Sequence, residues 1–237
     1  MTPMRIWTLG LTLVLASGLT GYYVARNPGL AARTTSYTQS NVISESEART
    51  VVERFFPVQL QSPKNKLRTY GFAAGNLDNY GLPKHIVAVY ANGADSIVRI
   101  LELRGNEFAL VDESSVPGMS GTEPEVQLVD MNRDGRPTVV ISLKRNEGGT
   151  DVWILRWHPD ERELYLVSPV TVAEDGTFSS LLHNAVILDT TGSGNLDIVN
   201  TPEIDIHNII LYPIFQFDPI LEHYIQFKTL KELYHIS

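Results

Sequence analysis

Cysteine is absent from the 237-residue chain. This absence excludes disulfide bonds, thiolate zinc sites, iron–sulfur clusters and cysteine nucleophiles. Basic residues are also few, since 19 Lys and Arg stand against 27 Asp and Glu and give a net charge of −8. Nucleic-acid affinity comes mostly from Lys and Arg side chains that neutralise phosphates, so an acidic chain without a basic run is not expected to bind nucleic acid.

Hydrophobic residues make up 43% of the chain, an ordinary share for a globular protein. A packed core is therefore expected, and global disorder is not. About two hundred residues remain when the N-terminal segment is set aside, which is enough for one all-β domain or two small domains.

An uncharged, apolar run covers residues 6–25, directly after Arg5. As a helix, a run of this length matches the ~30 Å hydrocarbon layer of a membrane. We predict that residues 1–26 are a signal anchor that leaves the body of the chain outside the cytoplasm. The alternative is a signal peptide: the small residues 16–18 permit cleavage after Gly18, and the protein would then be secreted.

Residues 27–43 are polar and rich in Thr and Ser, which predicts a flexible linker. A short amphipathic helix is predicted over residues 44–57, because Ser44 and Glu47 have the spacing of a capping box and Pro57 ends the pattern. Its apolar residues recur at helical spacing and are expected to pack on the main domain. They are Ala48, Val51, Val52, Phe55 and Phe56.

Three similar turn sequences follow, each ending on a glycine. They cover residues 76–81, 130–135 and 189–194, so their glycines are 54 and 59 residues apart. Each is preceded by an apolar stretch and followed by three more stretches rich in Val, Ile and aromatic residues, which are typical of strands. A fixed period of this length indicates a repeat architecture.

Four short antiparallel strands in about 55 residues is the size of a propeller blade. The predicted fold is therefore all-β, with three four-stranded propeller-type blades that form a partial or open β-propeller. The blades are expected near residues 68–116, 123–172 and 183–237. A sandwich also uses many short strands, but the repeat favours blades.

The turn sequences and their flanks resemble FG-GAP/VCBS repeats, the blade type of integrin α-subunit propellers. The order of parts is similar to that of exported bacterial FG-GAP-repeat proteins, with residues 62–65 (Ser-Pro-Lys-Asn) in place of their lead sequence. The resemblance covers residues 62–237 and is strongest in the second turn. It implies a propeller-like fold and calcium in intact loops.

Calcium prefers six to eight hard oxygen ligands in a flexible shell. Alternate positions 1, 3 and 5 of such a loop point inward, the carbonyl of position 7 and the side chain of position 9 complete the shell, and glycine at position 6 allows the turn. The second loop supplies Asp130, Asn132, Asp134, the carbonyl of Arg136, and Thr138. The third supplies Asp189, Thr191, Ser193, the carbonyl of Asn195, and Asp197.

The small number of carboxylates predicts weak calcium binding, in the ~10⁻⁴–10⁻³ M range of extracellular modules. The first loop is predicted to be structural, because Lys84 at its position 9 would repel the ion. The same residue types also form tight turns without any ion, so ion-free turns remain the alternative.

No motif for catalysis stands out. The six histidines lack the spacing of a zinc protease, and no Gly-x-Ser-x-Gly elbow occurs. Trp153 and Trp157 alternate along one predicted strand and are interpreted as core residues, with a sugar-stacking platform as the alternative.

The sequence therefore predicts a membrane-tethered, extracytoplasmic binding or scaffold protein that is not an enzyme, with a protein or glycan as ligand. The alternative is an extracytoplasmic hydrolase acting on polysaccharide or phosphoester. Three blades do not close a ring. Either they form an open arc with the helix covering an exposed edge, or two chains pair as a homodimer to make a six-bladed ring.

Overall fold

A computed structural model describes residues 43–60, 69–78, 84–201, 203–204, 210–218, 221 and 223–232. The predicted anchor, almost all of the predicted linker and the lead at residues 62–65 lie outside this set. Among the described residues, no helix has the length and apolar character needed to cross a membrane.

Helix α1 (Glu45–Arg54) begins at the predicted capping box. The Ser44 hydroxyl accepts a hydrogen bond from the Glu47 backbone N–H (3.3 Å), and the Glu47 carboxylate accepts one from the Ser44 N–H (2.8 Å). The helix ends before Phe55, and a single 3₁₀ turn (Val58–Leu60) follows. It is shorter than the predicted span because the residue before a proline, here Phe56, is disfavoured in helical conformation.

Polar groups from the first sheet cap the carbonyls at the end of α1. The Tyr90 hydroxyl donates to the Val52 carbonyl (2.8 Å), and the Arg99 guanidinium donates to the Phe55 carbonyl. Arg99 is also paired with Glu113 (2.5 Å). A cation at a helix C-terminus is favourable because the last carbonyls have no partner within the helix.

Within the described ranges, the strands form four small antiparallel sheets, none of which closes on itself. Sheet A has the order β1–β2–β3–β4, with each strand paired to the next along the chain. Its strands are β1 (Thr69–Gly75), β2 (His85–Ala91), β3 (Ser96–Arg104) and β4 (Glu107–Ser114).

Sheet B repeats this order as β5–β6–β7–β8. Its strands are β5 (Thr122–Val129), β6 (Thr138–Lys144), β7 (Thr150–His158) and β8 (Glu163–Leu166). A two-stranded ribbon of β9 (Val170–Val172) and β10 (Phe178–Ser180), which was not predicted, leads to the third large sheet.

Sheet C has five strands, and β14 is its central strand. One edge of β14 pairs with β12 and β13, and the other edge pairs with β15. The strand β11 pairs with β12. Its strands are β11 (Val186–Leu188), β12 (Asp197–Val199), β13 (Glu203–Ile204), β14 (Ile210–Asp218) and β15 (His223–Glu232). The predicted β-rich architecture of short antiparallel strands is thus confirmed for the described part of the chain.

Apolar side chains cover sheet A on both faces. On one face, Ile86, Ala88 and Tyr90 of β2 pack with Ala48 and Val52 of α1. The helix therefore lies on a sheet face, whereas the open-arc prediction placed it on an edge. The reason is that β2 is buried along its whole length, so its apolar side chains need a covering element on each face of the sheet.

The opposite face of sheet A packs against sheet B. Val87 and Val89 of β2 share one core with Trp153, Leu155 and Trp157 of β7. Both tryptophans are buried, which agrees with their interpretation as core residues.

The other face of sheet B packs against sheet C. This second core contains Val140 of β6 and Ile154 of β7 together with Ile198, Phe215 and Tyr224 of sheet C. Helix α1 and sheets A, B and C therefore follow one another face to face in chain order.

Candidate functional site

Each of the three predicted loops connects the first two strands of one large sheet. The strand residues that close the hairpins are paired as Gly75↔His85, Val129↔Thr138 and Leu188↔Asp197. The second and third loops thus run over 130–137 and 189–196, while the first runs over 76–84 and is one residue longer.

The first residue of the second strand is polar and buried in all three sheets. His85, Thr138 and Asp197 occupy this place, and none is more than 2% exposed. Strand pairing therefore puts His85 where the loop count placed Lys84. The extra residue in the first loop causes the difference.

The first loop contains a lysine whose ammonium group is paired with the carboxylate of the same loop. The Lys84 ammonium lies 2.5 Å from Asp78 Oδ2, and the Trp157 indole N–H donates to Asp78 Oδ1 (2.9 Å). Burial alone would raise the pKa of Asp78, but the hydrogen bonds from Lys84 and Trp157 outweigh it and lower the pKa. Lys84 therefore already neutralises Asp78, the one carboxylate in the sequence of this loop.

His85 lies behind that loop in a buried polar setting. Its Nδ1 accepts a hydrogen bond from the Leu77 N–H (3.2 Å), and its Nε2 is 3.9 Å from Glu102 Oε1. Burial lowers the pKa of His85 to about 4, with Asp78 opposing the effect. The imidazole is therefore neutral at physiological pH.

In the second loop, too, one carboxylate is paired with a basic side chain of the protein. Asp130 Oδ2 accepts a hydrogen bond from the Gly135 N–H (3.1 Å), which closes the turn. Asp134 Oδ2 lies 2.6 Å from the Arg156 guanidinium of β7, and its other oxygen accepts from the Arg136 N–H (2.9 Å). Arg156 thus offsets the charge of one of the two carboxylates that were predicted to bind calcium.

The third loop is organised around Asp189. One oxygen of its carboxylate accepts from the N–H groups of Thr191 (3.1 Å) and Gly192 (2.7 Å), and the other accepts from Gly194 N–H (2.6 Å). Burial opposes ionisation, but these backbone donors outweigh it and lower the pKa of Asp189. The hydroxyls of Thr191 and Ser193 are 2.9 Å apart beside it.

Asp197 is held separately at the end of the same loop. Its Oδ1 accepts from the Gln216 amide (2.7 Å), and its Oδ2 accepts from the N–H (3.1 Å) and the hydroxyl of Thr190. These donors satisfy a carboxylate that is almost fully buried.

The second and third loops are in direct contact. The Leu196 N–H donates to the Met131 carbonyl (2.8 Å), and the Tyr224 hydroxyl donates to the Met131 sulfur (3.0 Å). Gly194 has a φ of +91°, and a Cβ built on it would lie 1.7 Å from the Arg133 guanidinium carbon. The Arg133 side chain could move away from a Cβ, so it is the positive φ that favours glycine at this position.

A pocket of about 220 Å³ opens between these two loops. Asn132 lines it from the second loop, and Gln216 and Phe217 line it from β14. The third loop contributes Thr191, Ser193 and Asn195 to the polar wall, and the first residue of β12, Asp197, adds a carboxylate.

In the part of the chain that the structure describes, no three His, Cys, Asp or Glu side chains come together. A cation in the third loop would therefore use hydroxyl and carbonyl oxygens beside one or two carboxylates. Such hard oxygen donors suit calcium, although the low charge limits the affinity.

No protein-family profile matches the chain, and no curated protein matches it in sequence.

Sequence reasoning missed the residues that reach the loops from other strands. Arg156, Gln216 and Phe217 lie on the third strand of their sheets, about 20 residues or more from the loop residues they contact. The one available signal is that β7 and β14 each place a polar residue inside an apolar run.

The buried neutral state of His85 predicts acid sensitivity. Its pKa is about 4 in the folded protein and near 6.5 when unfolded, so between these pH values the unfolded chain binds more protons. The free energy of unfolding is expected to fall, by up to about 3 kcal/mol, as pH drops from 6.5 to 4. Urea denaturation of the full chain at a series of pH values measures it.

The control is His85→Asn, whose side-chain oxygen can still accept from the Leu77 N–H but does not titrate. This variant should show a shallower pH dependence over the same window. Parallel curves for the wild type and His85→Asn would show that the imidazole is not held neutral by burial.

Proposed function

We propose that sheets A, B and C are three propeller-type blades of FG-GAP/VCBS kind and that the protein is a non-enzymatic binding or scaffold module. The main support is the hairpin geometry: in each sheet the first two strands are joined by an Asx- and Gly-rich loop and continue with a buried polar residue. A shared register at three places in one chain is what a repeated unit would produce.

The stacking order supports an open arrangement of the blades. Propeller blades pack face to face, and sheet B packs between sheets A and C. Helix α1 occupies the free face of sheet A, where a sheet of a second chain would have to pack to close a six-bladed ring. We therefore favour the open stack over the ring-forming homodimer.

We further propose that the third loop binds calcium weakly. Asp189, Thr191, Ser193, the Asn195 carbonyl and Asp197 would hold it, and the ion would tie the loop together by electrostatic attraction. The second loop, with Asp130, Asn132, Asp134, the Arg136 carbonyl and Thr138, is the weaker candidate, because Arg156 already neutralises Asp134.

The location follows from the apolar run of residues 6–25. We propose that it anchors the chain in a membrane, with the sheets in the extracytoplasmic space. There the module would bind a protein or glycan.

Calcium should stabilise the full chain. At about 10 mM calcium and a dissociation constant of about 1 mM, linkage gives about 1.4 kcal/mol. For a chain of this size the thermal midpoint should rise by about 3–5 °C relative to chelator. Differential scanning calorimetry in calcium, magnesium and chelator measures the shift.

Two isosteric variants assign that shift to a loop. Asp189→Asn should abolish the calcium response, whereas Asp134→Asn should keep most of it. A wild-type midpoint that is the same in calcium and in chelator would remove calcium from the proposal.

The anchor predicts membrane retention. After expression in a bacterial host, the full chain should stay in the membrane pellet through an alkaline carbonate wash. In a separate assay on unwashed, intact membranes, protease added from the extracytoplasmic side should digest it. Leu13→Arg, which places a charge in the middle of the apolar run, should reduce retention. Recovery of a soluble chain that begins near Leu19 would instead establish secretion after cleavage.

A further inference from the structure

We propose that the pocket between the second and third hairpins binds one neutral, polyhydroxylated unit, such as a terminal pyranose of a glycan. This inference rests on the proposed function, because it names the ligand class of the binding module. The pocket is formed entirely by described residues of sheets B and C and the loops that join their strands.

Hydrogen-bonding capacity is the first argument. Asn132, Asn195 and Gln216 present amides, and Thr191 and Ser193 present hydroxyls. Each of these groups both donates and accepts hydrogen bonds, as sugar hydroxyls do. A ligand with several hydroxyls is therefore the best match for the polar wall.

Charge is the second argument. Asp197 is the one ionisable side chain among the described lining residues, and both of its oxygens already accept hydrogen bonds from Gln216 and Thr190. An anionic ligand would meet this carboxylate without a lysine or arginine in the wall to balance it. An organic cation such as an ammonium group would meet only this carboxylate, whose oxygens already have donors, whereas a calcium ion in the third loop would also have Asp189 and the other loop oxygens around it. A neutral ligand avoids both costs.

Phe217 provides an apolar surface on the same pocket. Its ring has the Arg156 guanidinium 4.9 Å from its centroid and the tilted Tyr224 ring 5.4 Å away, centroid to centroid, and these contacts hold it in place. The C–H groups of a pyranose can pack on an aromatic ring while its hydroxyls reach polar neighbours. An aromatic carbon surface beside five neutral polar groups is thus suited to an amphipathic ring.

The walls are fixed before any ligand arrives. The Leu196–Met131 backbone hydrogen bond joins the two loops, and Asp189 holds three N–H groups of the third loop. Preorganisation lowers the entropy that binding would cost. The volume of about 220 Å³ is below that of typical drug-sized sites and accommodates one sugar unit rather than an extended chain.

The test uses the full chain in a zwitterionic detergent that has no sugar head group. Saturation-transfer NMR and titration calorimetry are run with neutral hexoses and N-acetylhexosamines, with glucuronic acid and glucosamine as charged comparators. At least one neutral sugar should bind with a dissociation constant of about 1 mM or lower, and the charged sugars should bind about tenfold more weakly.

Two lining variants locate the binding. Asn132→Ala removes one amide from the second loop, and Phe217→Leu keeps apolar volume but removes the ring. Each should weaken binding about tenfold. Asn132→Ala should leave the thermal midpoint unchanged, whereas Phe217→Leu should lower it slightly, because the ring packs against the second core. The matched control, Asn146→Ala, alters an exposed asparagine in the β6–β7 turn and should leave binding unchanged.

The outcomes separate this proposal from the proposed function. If no neutral sugar binds, or if binding is indifferent to both lining variants, the pocket assignment is overturned, while the proposed binding module stands with a protein as its ligand. Binding that persists in chelator supports the pocket and counts against a calcium requirement. Turnover of a glycan would contradict the non-enzymatic role while leaving the pocket as its site.

Discussion

Every residue of β2 is buried, so this strand has side chains withdrawn from water on both faces of sheet A. A strand of this kind is stable only when both faces are covered, because its apolar rows would otherwise remain hydrated. Sheet B covers one face and α1 covers the other. The need to cover two faces explains why α1 packs on the face of sheet A that sheet B leaves uncovered.

The loop carboxylates and the buried polar residues beside them lie at one hairpin of each large sheet, at the border of the apolar cores. In each large sheet, the loop between the first two strands contains a carboxylate, and its charge is compensated by a different kind of partner in each sheet. Lys84 pairs with Asp78, Arg156 pairs with Asp134, and backbone N–H groups satisfy Asp189. The third loop lacks a paired Lys or Arg on its carboxylates among the described contacts, and the pocket opens beside it. Cation binding and ligand binding are therefore both proposed at this hairpin.

Local signals were sufficient for α1 and for the second and third hairpins. The capping box spans four residues, and each of these two loops closes its turn through a hydrogen bond from a glycine N–H to an aspartate at the start of the loop. Contacts between distant residues could not be predicted in this way. Nothing near Asp134 indicates that Arg156 pairs with it, and the count of loop positions could not reveal that His85, rather than Lys84, matches Thr138 and Asp197. The position of α1 on a face, rather than an edge, depends on the same long-range packing.

Hydrogen exchange of the full chain, followed by mass spectrometry, tests the two-face packing most directly. The amides of β2 and β6 should exchange most slowly, and Val52→Asp, which places a charge in the contact between α1 and sheet A, should accelerate exchange in β1–β4 far more than in β5–β8. Val58→Asp, at a valine that is 76% exposed, is the matched control and should have little effect. Unchanged exchange in sheet A with Val52→Asp would contradict the account.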